Sequence, residues 1–198
     1  MEWNNQDIHV IRCFGDSLTA GYGALPGQGW VSRLEKKHPG ISFYNHGVCG
    51  AGVMDIFEQM EGYLALASRG EGFFFLGGTN DILCGMKLVS LEKQVASQLI
   101  ILAKQVPLTI GIPPLATKES IFYGWQSEYN FERNQEDLMH YGEFLHQLTI
   151  TQSLPCIDFS KAFPVNDTWY SDGLHPNGKG YEKMAELAEK VWCWESNV

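Results

Sequence analysis

Apolar positions along this chain come in short blocks, separated by longer stretches in which they recur every three or four residues. Residues 9–14, 41–45, 72–76, 108–112 and 154–159 are blocks of strand length, enriched in β-branched and aromatic side chains. Within them the apolar residues follow one another instead of alternating with polar ones, which is the mark of strands covered on both faces, as in a parallel sheet. The stretches 30–37, 53–68, 91–105, 134–149 and 178–194 read as helices. In the fourth, Leu138, Tyr141, Leu145 and Leu148 make one apolar stripe. Five strands alternating with helices predict an α/β protein, a three-layer α/β/α sandwich around a five-stranded parallel sheet with right-handed crossovers.

At 198 residues, with no repeat, linker or low-complexity tract, residues 1–198 are expected to form one domain. Segment 113–133 breaks the rhythm. It is long for a connection and holds Phe122, Tyr123, Trp125, Tyr129 and Phe131, too many aromatics for a disordered tract. It reads either as a wall beside a site or as an irregular flap or short helix covering the sheet.

Charge and cysteine content narrow the function classes. A formal net charge of -9 argues against a phosphate-binding surface, so nucleic acid is not an expected partner. No apolar run is long enough for a transmembrane segment, and no cationic start leads into an apolar stretch. The five cysteines, Cys13, Cys49, Cys84, Cys156 and Cys193, are scattered and odd in number, which suits reduced thiols in a cytoplasmic protein. Neither they nor the histidines show metal-ligand spacing, so no metal and no cofactor is expected.

In an open parallel sheet, ligands bind beyond the carboxyl ends of the strands, so the residues following each block are the ones to inspect. Ser17 follows the first block in Gly-Asp-Ser-Leu, Gly50 follows the second, Asn80 follows the third in Gly-Thr-Asn-Asp, and Asp172 and His175 follow the fifth in Asp-Gly-Leu-His-Pro. Each has an ordinary explanation when taken alone: a cap or turn serine, a turn asparagine, a surface histidine. Together they supply a hydroxyl nucleophile, a carboxylate three residues from an imidazole, and two donors for a developing oxyanion. Asp81 reads as structural, tying its loop.

In those blocks, and in their order over residues 9–192, the chain resembles the SGNH, or GDSL, hydrolases. The resemblance implies a flavodoxin-like sandwich and hydrolysis of a small-molecule ester through an acyl-enzyme without a metal. It also implies a triad of Ser17, His175 and Asp172, with an oxyanion hole formed by the amides of Ser17 and Gly50 and the side chain of Asn80. The sequence departs from the usual pattern around Gly50, where Cys49 replaces a common serine and Ala51-Gly52 replaces a polar pair. Cys49 sets a thiol close to the site, where oxidation would reach it.

Competing classes lack their signatures. No Gly-x-Ser-x-Gly elbow is present, and neither a dinucleotide-binding nor a P-loop glycine pattern follows a strand. The alternatives that remain are a lysophospholipase or thioesterase of the same family, and a flavodoxin-like binding module without turnover. Phe122, Trp125 and Tyr129 are the expected substrate-pocket residues, walling the acyl side of the cleft and favouring short acyl groups or acetylated sugars.

Overall fold

The computed structural model describes residues 8–192. Its centre is a sheet of five parallel strands in the order β2-β1-β3-β4-β5, comprising β1 (Val10–Gly15), β2 (Ser42–Gly47), β3 (Glu71–Leu76), β4 (Leu108–Ile112) and β5 (Cys156–Asp158). The helices are α1 (Ser17–Ala20), α2 (Trp30–Lys37), α3 (Val53–Leu64), α4 (Thr79–Leu83), α5 (Leu88–Ala103), α6 (Glu119–Phe122), α7 (Glu128–Gln152) and α8 (Gly178–Trp192). This is the predicted three-layer α/β/α sandwich.

Side-chain alternation along each strand feeds two separate cores. Phe14, Phe73, Phe75 and Ile110 pack against Val53 and Phe57 of α3, Leu99 of α5 and Tyr141 of α7. Ile11, Cys13, Phe74 and Leu76 point the other way, onto Trp30 of α2 and Tyr181, Met184 and Trp192 of α8. Polar contacts fix the start of β3: Arg12 Nε donates to Glu71 Oε2 at 2.7 Å, and Ser68 Oγ donates to Glu71 Oε1 at 2.8 Å.

The structure differs from the sequence reading in three places. β2 lies at a sheet edge, so Ser42, Tyr44 and Asn45 are exposed instead of covered on both faces. α7 begins at Glu128, ahead of the expected residue 134, because Ser127 caps it by accepting from the Asn130 amide at 3.2 Å. α3 ends at Leu64, short of the expected residue 68, and segment 113–133 contains the short helix α6 and the first turns of α7. The helix expected to end at residue 194 has its last two residues outside the described range. Cys13, Cys49, Cys84 and Cys156 are free, and Cys193 lies outside the described residues.

Candidate active site

Ser17 is held at the end of β1 by its neighbours. Gly15 leaves no room for a side chain, because a Cβ there would lie 2.4 Å from the Leu76 carbonyl oxygen. Asp16 then caps α1, its Oδ1 accepting from the Leu18 amide at 2.9 Å. Trp30 Nε1 donates to the Leu18 carbonyl at 3.1 Å and pins the same turn from α2. Ser17 is the first residue of α1, so its own amide has no partner within the helix.

The Asp172–His175 turn faces it. Asp172 Oδ1 accepts from the backbone amides of Leu174 and His175 at 3.0 and 2.8 Å, and Oδ2 meets His175 Nδ1 at 2.8 Å. His175 Nε2 lies 2.9 Å from Ser17 Oγ. All three side chains are buried. Hydroxyl, imidazole and carboxylate thus form one hydrogen-bonded line, able to take a proton from Ser17 and hold the resulting imidazolium.

The two carboxyl groups near Ser17 are shifted in opposite directions. Burial pushes Asp172 up, but hydrogen bonds from the His175 side chain and amide and from the Leu174 amide, with the charge of the imidazole, outweigh it and hold the group below the usual carboxylate range. Burial pushes Asp16 up to about 7, with Asp81 adding to the rise and the Leu18 amide and His175 opposing it.

Gly50 and Asn80 stand on the junctions after β2 and β3, the two strands that flank β1. Gly50 adopts φ +81, a left-handed conformation that suits glycine. Asn80 Nδ2 donates to the Ala51 carbonyl at 3.0 Å, which orients the amide and leaves its second hydrogen available. Asp81 ties the loops together as expected, with Oδ2 accepting from the Val53 amide at 3.1 Å.

Of the three expected pocket aromatics, Trp125 reaches the triad, with its ring centroid 4.8 Å from that of His175. Phe122 and Tyr129 stand 86% and 94% exposed, and neither makes a ring contact with His175. Their place is taken by Tyr22, which sequence reasoning missed: its ring lies 4.4 Å from His175 and 5.8 Å from Trp125. The Tyr22 carbonyl accepts from Tyr181 Oη at 2.7 Å. The available signal was its position in Gly-Tyr-Gly, immediately after the nucleophile turn.

Among the described residues, no three His, Cys, Asp or Glu side chains are grouped to hold a metal ion, and no helix is long and apolar enough to cross a membrane.

Comparison with known proteins identifies the class. Residues 13–183 match the GDSL-like Lipase/Acylhydrolase family, and the chain belongs to that family of carboxylic ester hydrolases. Among solved structures, it is similar to a member of the lipolytic G-D-S-L family from Veillonella parvula DSM 2008, at 23% identity and a TM-score of 0.80 over 94% of this chain and 99% of that one. A carbohydrate acetylesterase family member from Sinorhizobium meliloti gives 17% identity and a TM-score of 0.76 over 93% and 97%. An acetylxylan esterase from Geobacillus stearothermophilus gives 17% and 0.74 over 94% and 95%. No curated protein sequence matches at a significant level.

Proposed function

We propose that the protein is a serine esterase acting on short-acyl esters, acetylated carbohydrates in particular, through an acyl-enzyme formed on Ser17. The observation that carries this reading is the unbroken line from Ser17 Oγ to His175 at 2.9 Å and from His175 to Asp172 at 2.8 Å. Ser17 Oγ attacks the ester carbonyl carbon while His175 Nε2 takes its proton, and Asp172 accepts from Nδ1–H and steadies the imidazolium. The carbonyl oxygen, now negative, receives hydrogen bonds from the Ser17 and Gly50 amides and from the free hydrogen of Asn80. Collapse breaks the bond to the alkoxy oxygen, which leaves as alcohol with the proton from His175. Water, deprotonated by His175, then attacks the acyl-Ser17 carbonyl carbon. A second collapse releases the acid and returns the proton to Ser17.

The short-acyl preference is supported by the surroundings of His175. Tyr22 and Trp125 cover it, whereas the rings of Phe122 and Tyr129 are exposed and make no ring contact with His175. A chain that outgrows the covered surface gains little from each further methylene. Acetylated carbohydrate as the substrate class is brought to this chain from the names of its structural neighbours.

Two measurements test the reading. Ser17→Ala is expected to abolish labelling by a fluorophosphonate and to lower kcat by up to ~10⁶-fold while leaving the protein folded. A variant retaining a tenth or more of wild-type turnover would remove Ser17 as nucleophile. In a series of p-nitrophenyl esters, kcat/KM should peak between acetyl and butyryl, and acetylated oligosaccharides should be turned over. A value that climbs steadily to dodecanoyl esters would assign a lysophospholipase instead.

A further inference from the structure

Between the Asp172–His175 turn and α7 lies a run of buried polar side chains that the reaction above does not use. At its outer end the exposed Arg133 leads into it, with Nη2 donating to Asn134 Oδ1 at 3.1 Å. Asn134 Nδ2 donates to Gln126 Oε1 at 2.9 Å, and Gln126 Nε2 donates to Ser120 Oγ at 2.8 Å. Ser120 Oγ in turn donates to the Thr117 carbonyl at 2.6 Å. Thr117 gives its backbone N–H to the Gly173 carbonyl at 2.7 Å. Gly173 stands between Asp172 and His175.

Every bond in this chain points the same way, toward the turn. Reversing the Gln126 amide would set its nitrogen against the donor of Asn134, so the orientation of each amide is dictated by the next. Asn134, Ser120 and Gln126 are all buried, where a hydrogen bond is electrostatically stronger than in water. The contact at Gly173 is close: a Cβ there would lie 2.1 Å from the Ser120 nitrogen, and φ is +77. Trp125 is carried by the same segment, its amide donating to the Ser120 carbonyl at 3.0 Å while Gln126 is the next residue. The segment therefore touches the turn twice, by a backbone bond at Gly173 and by the Trp125 ring at His175.

We propose that the Asn134–Gln126–Ser120 chain fixes the Asp172–His175 turn and the Trp125 ring as one unit, with Gln126 as the positioning residue at its centre. The proposal rests on the reading of Ser17, His175 and Asp172 given above. Apolar side chains of equal volume would fill the same space, but they would not set the direction of each link. The imidazole must stay in line with Ser17 Oγ through two proton transfers, and a displacement of about 1 Å can cost ~10²-fold in rate.

The test uses Gln126→Met, which keeps the volume and removes both bonds, together with Asn134→Ala and the double variant. Turnover of an acetyl ester well below Tm is expected to fall about tenfold or more in each single variant, mainly in kcat, with the rate of fluorophosphonate labelling of Ser17 falling in parallel. The double variant should be no worse than the worse single, because a chain already broken gains nothing from a second break. Unchanged kcat/KM in Gln126→Met, whatever its Tm, would overturn the proposal, as would losses that add in the double variant. Ser120→Ala removes a single hydroxyl from the same chain and serves the same comparison if Gln126→Met does not fold. Failure here leaves Ser17→Ala inactive, whereas failure of the functional reading would leave Ser17→Ala active.

Discussion

Two aspartates border Ser17, one on the β1–α1 junction and one on the turn that carries His175, and both are buried. Asp172 receives three hydrogen bonds and is held as an anion. Asp16 receives one, from the Leu18 amide, and its Oδ2 has no hydrogen-bond partner. Asp16 is the more deeply buried and Asp172 has the more donors aimed at it, and both differences move the two carboxyls apart. In the proposed reaction Asp172 acts by its charge, whereas Asp16 caps α1.

The largest effect should come from breaking the charged one. Asp172→Asn keeps the size of the side chain but presents no anion to Nδ1, and kcat is expected to fall by ~10⁴-fold, read as loss of ester turnover in folded protein. If Asp16→Asn were equally damaging, the contrast between the two would collapse. Next in size is the oxyanion side, where donors again decide. Asn80→Ala should lower kcat by ~10² to 10³-fold with little change in KM, and a change confined to KM would reduce Asn80 to a substrate contact.

Asp16→Asn sharpens the comparison on the stability axis. Its carboxyl is raised in the folded protein from 3.8 to about 7, so its favourable contribution is complete below the unfolded value and is lost as pH rises through the folded one. Asparagine retains an oxygen for the Leu18 amide and has nothing to ionise. The variant should therefore have a higher Tm than wild type at pH 8, at about 2 to 4 °C per kcal/mol gained, and this advantage should vanish by pH 4. The smallest effects belong outside both turns: Phe122→Ala and Tyr129→Ala should change stability by less than ~0.5 kcal/mol and leave acetyl-ester turnover unchanged.

The sheet was legible because a strand buried on both faces needs a continuous apolar run, and β3 with Phe73, Phe74 and Phe75 has one. β2 was placed correctly but its covering was not, since nothing local in 41–45 says that it ends up at an edge. The start of α7 was hidden by a polar run, Glu-Tyr-Asn-Phe-Glu-Arg-Asn-Gln-Glu, whose helical state depends on the Ser127 cap more than on an apolar stripe. Ser17, Gly50, Asn80, Asp172 and His175 could be picked out because strand ends collect them at one edge of the sheet, and the structure brings Ser17, His175 and Asp172 into one line. The Gln126 chain left no trace in the sequence. Amide side chains obey no period, and their partners are set by how α6 and α7 pack against the turn.

The phenylalanine run of β3 has a consequence for how the site is measured out. Sliding the strand by one residue would still set a phenylalanine on each face, so apolar burial separates the alignments less sharply than in a strand that alternates with polar residues. The ends sharpen the choice. Glu71, gripped by Arg12 and Ser68, sets a zero mark at one margin of the sheet. At the other margin Gly77 is crowded by side chains, a Cβ there lying 2.6 Å from the Ile56 terminal methyl, and Asn80 follows. The strand between is a ruler roughly 17 Å long, at about 3.3 Å per residue, and the reach of Asn80 is read off an ion pair at its far end.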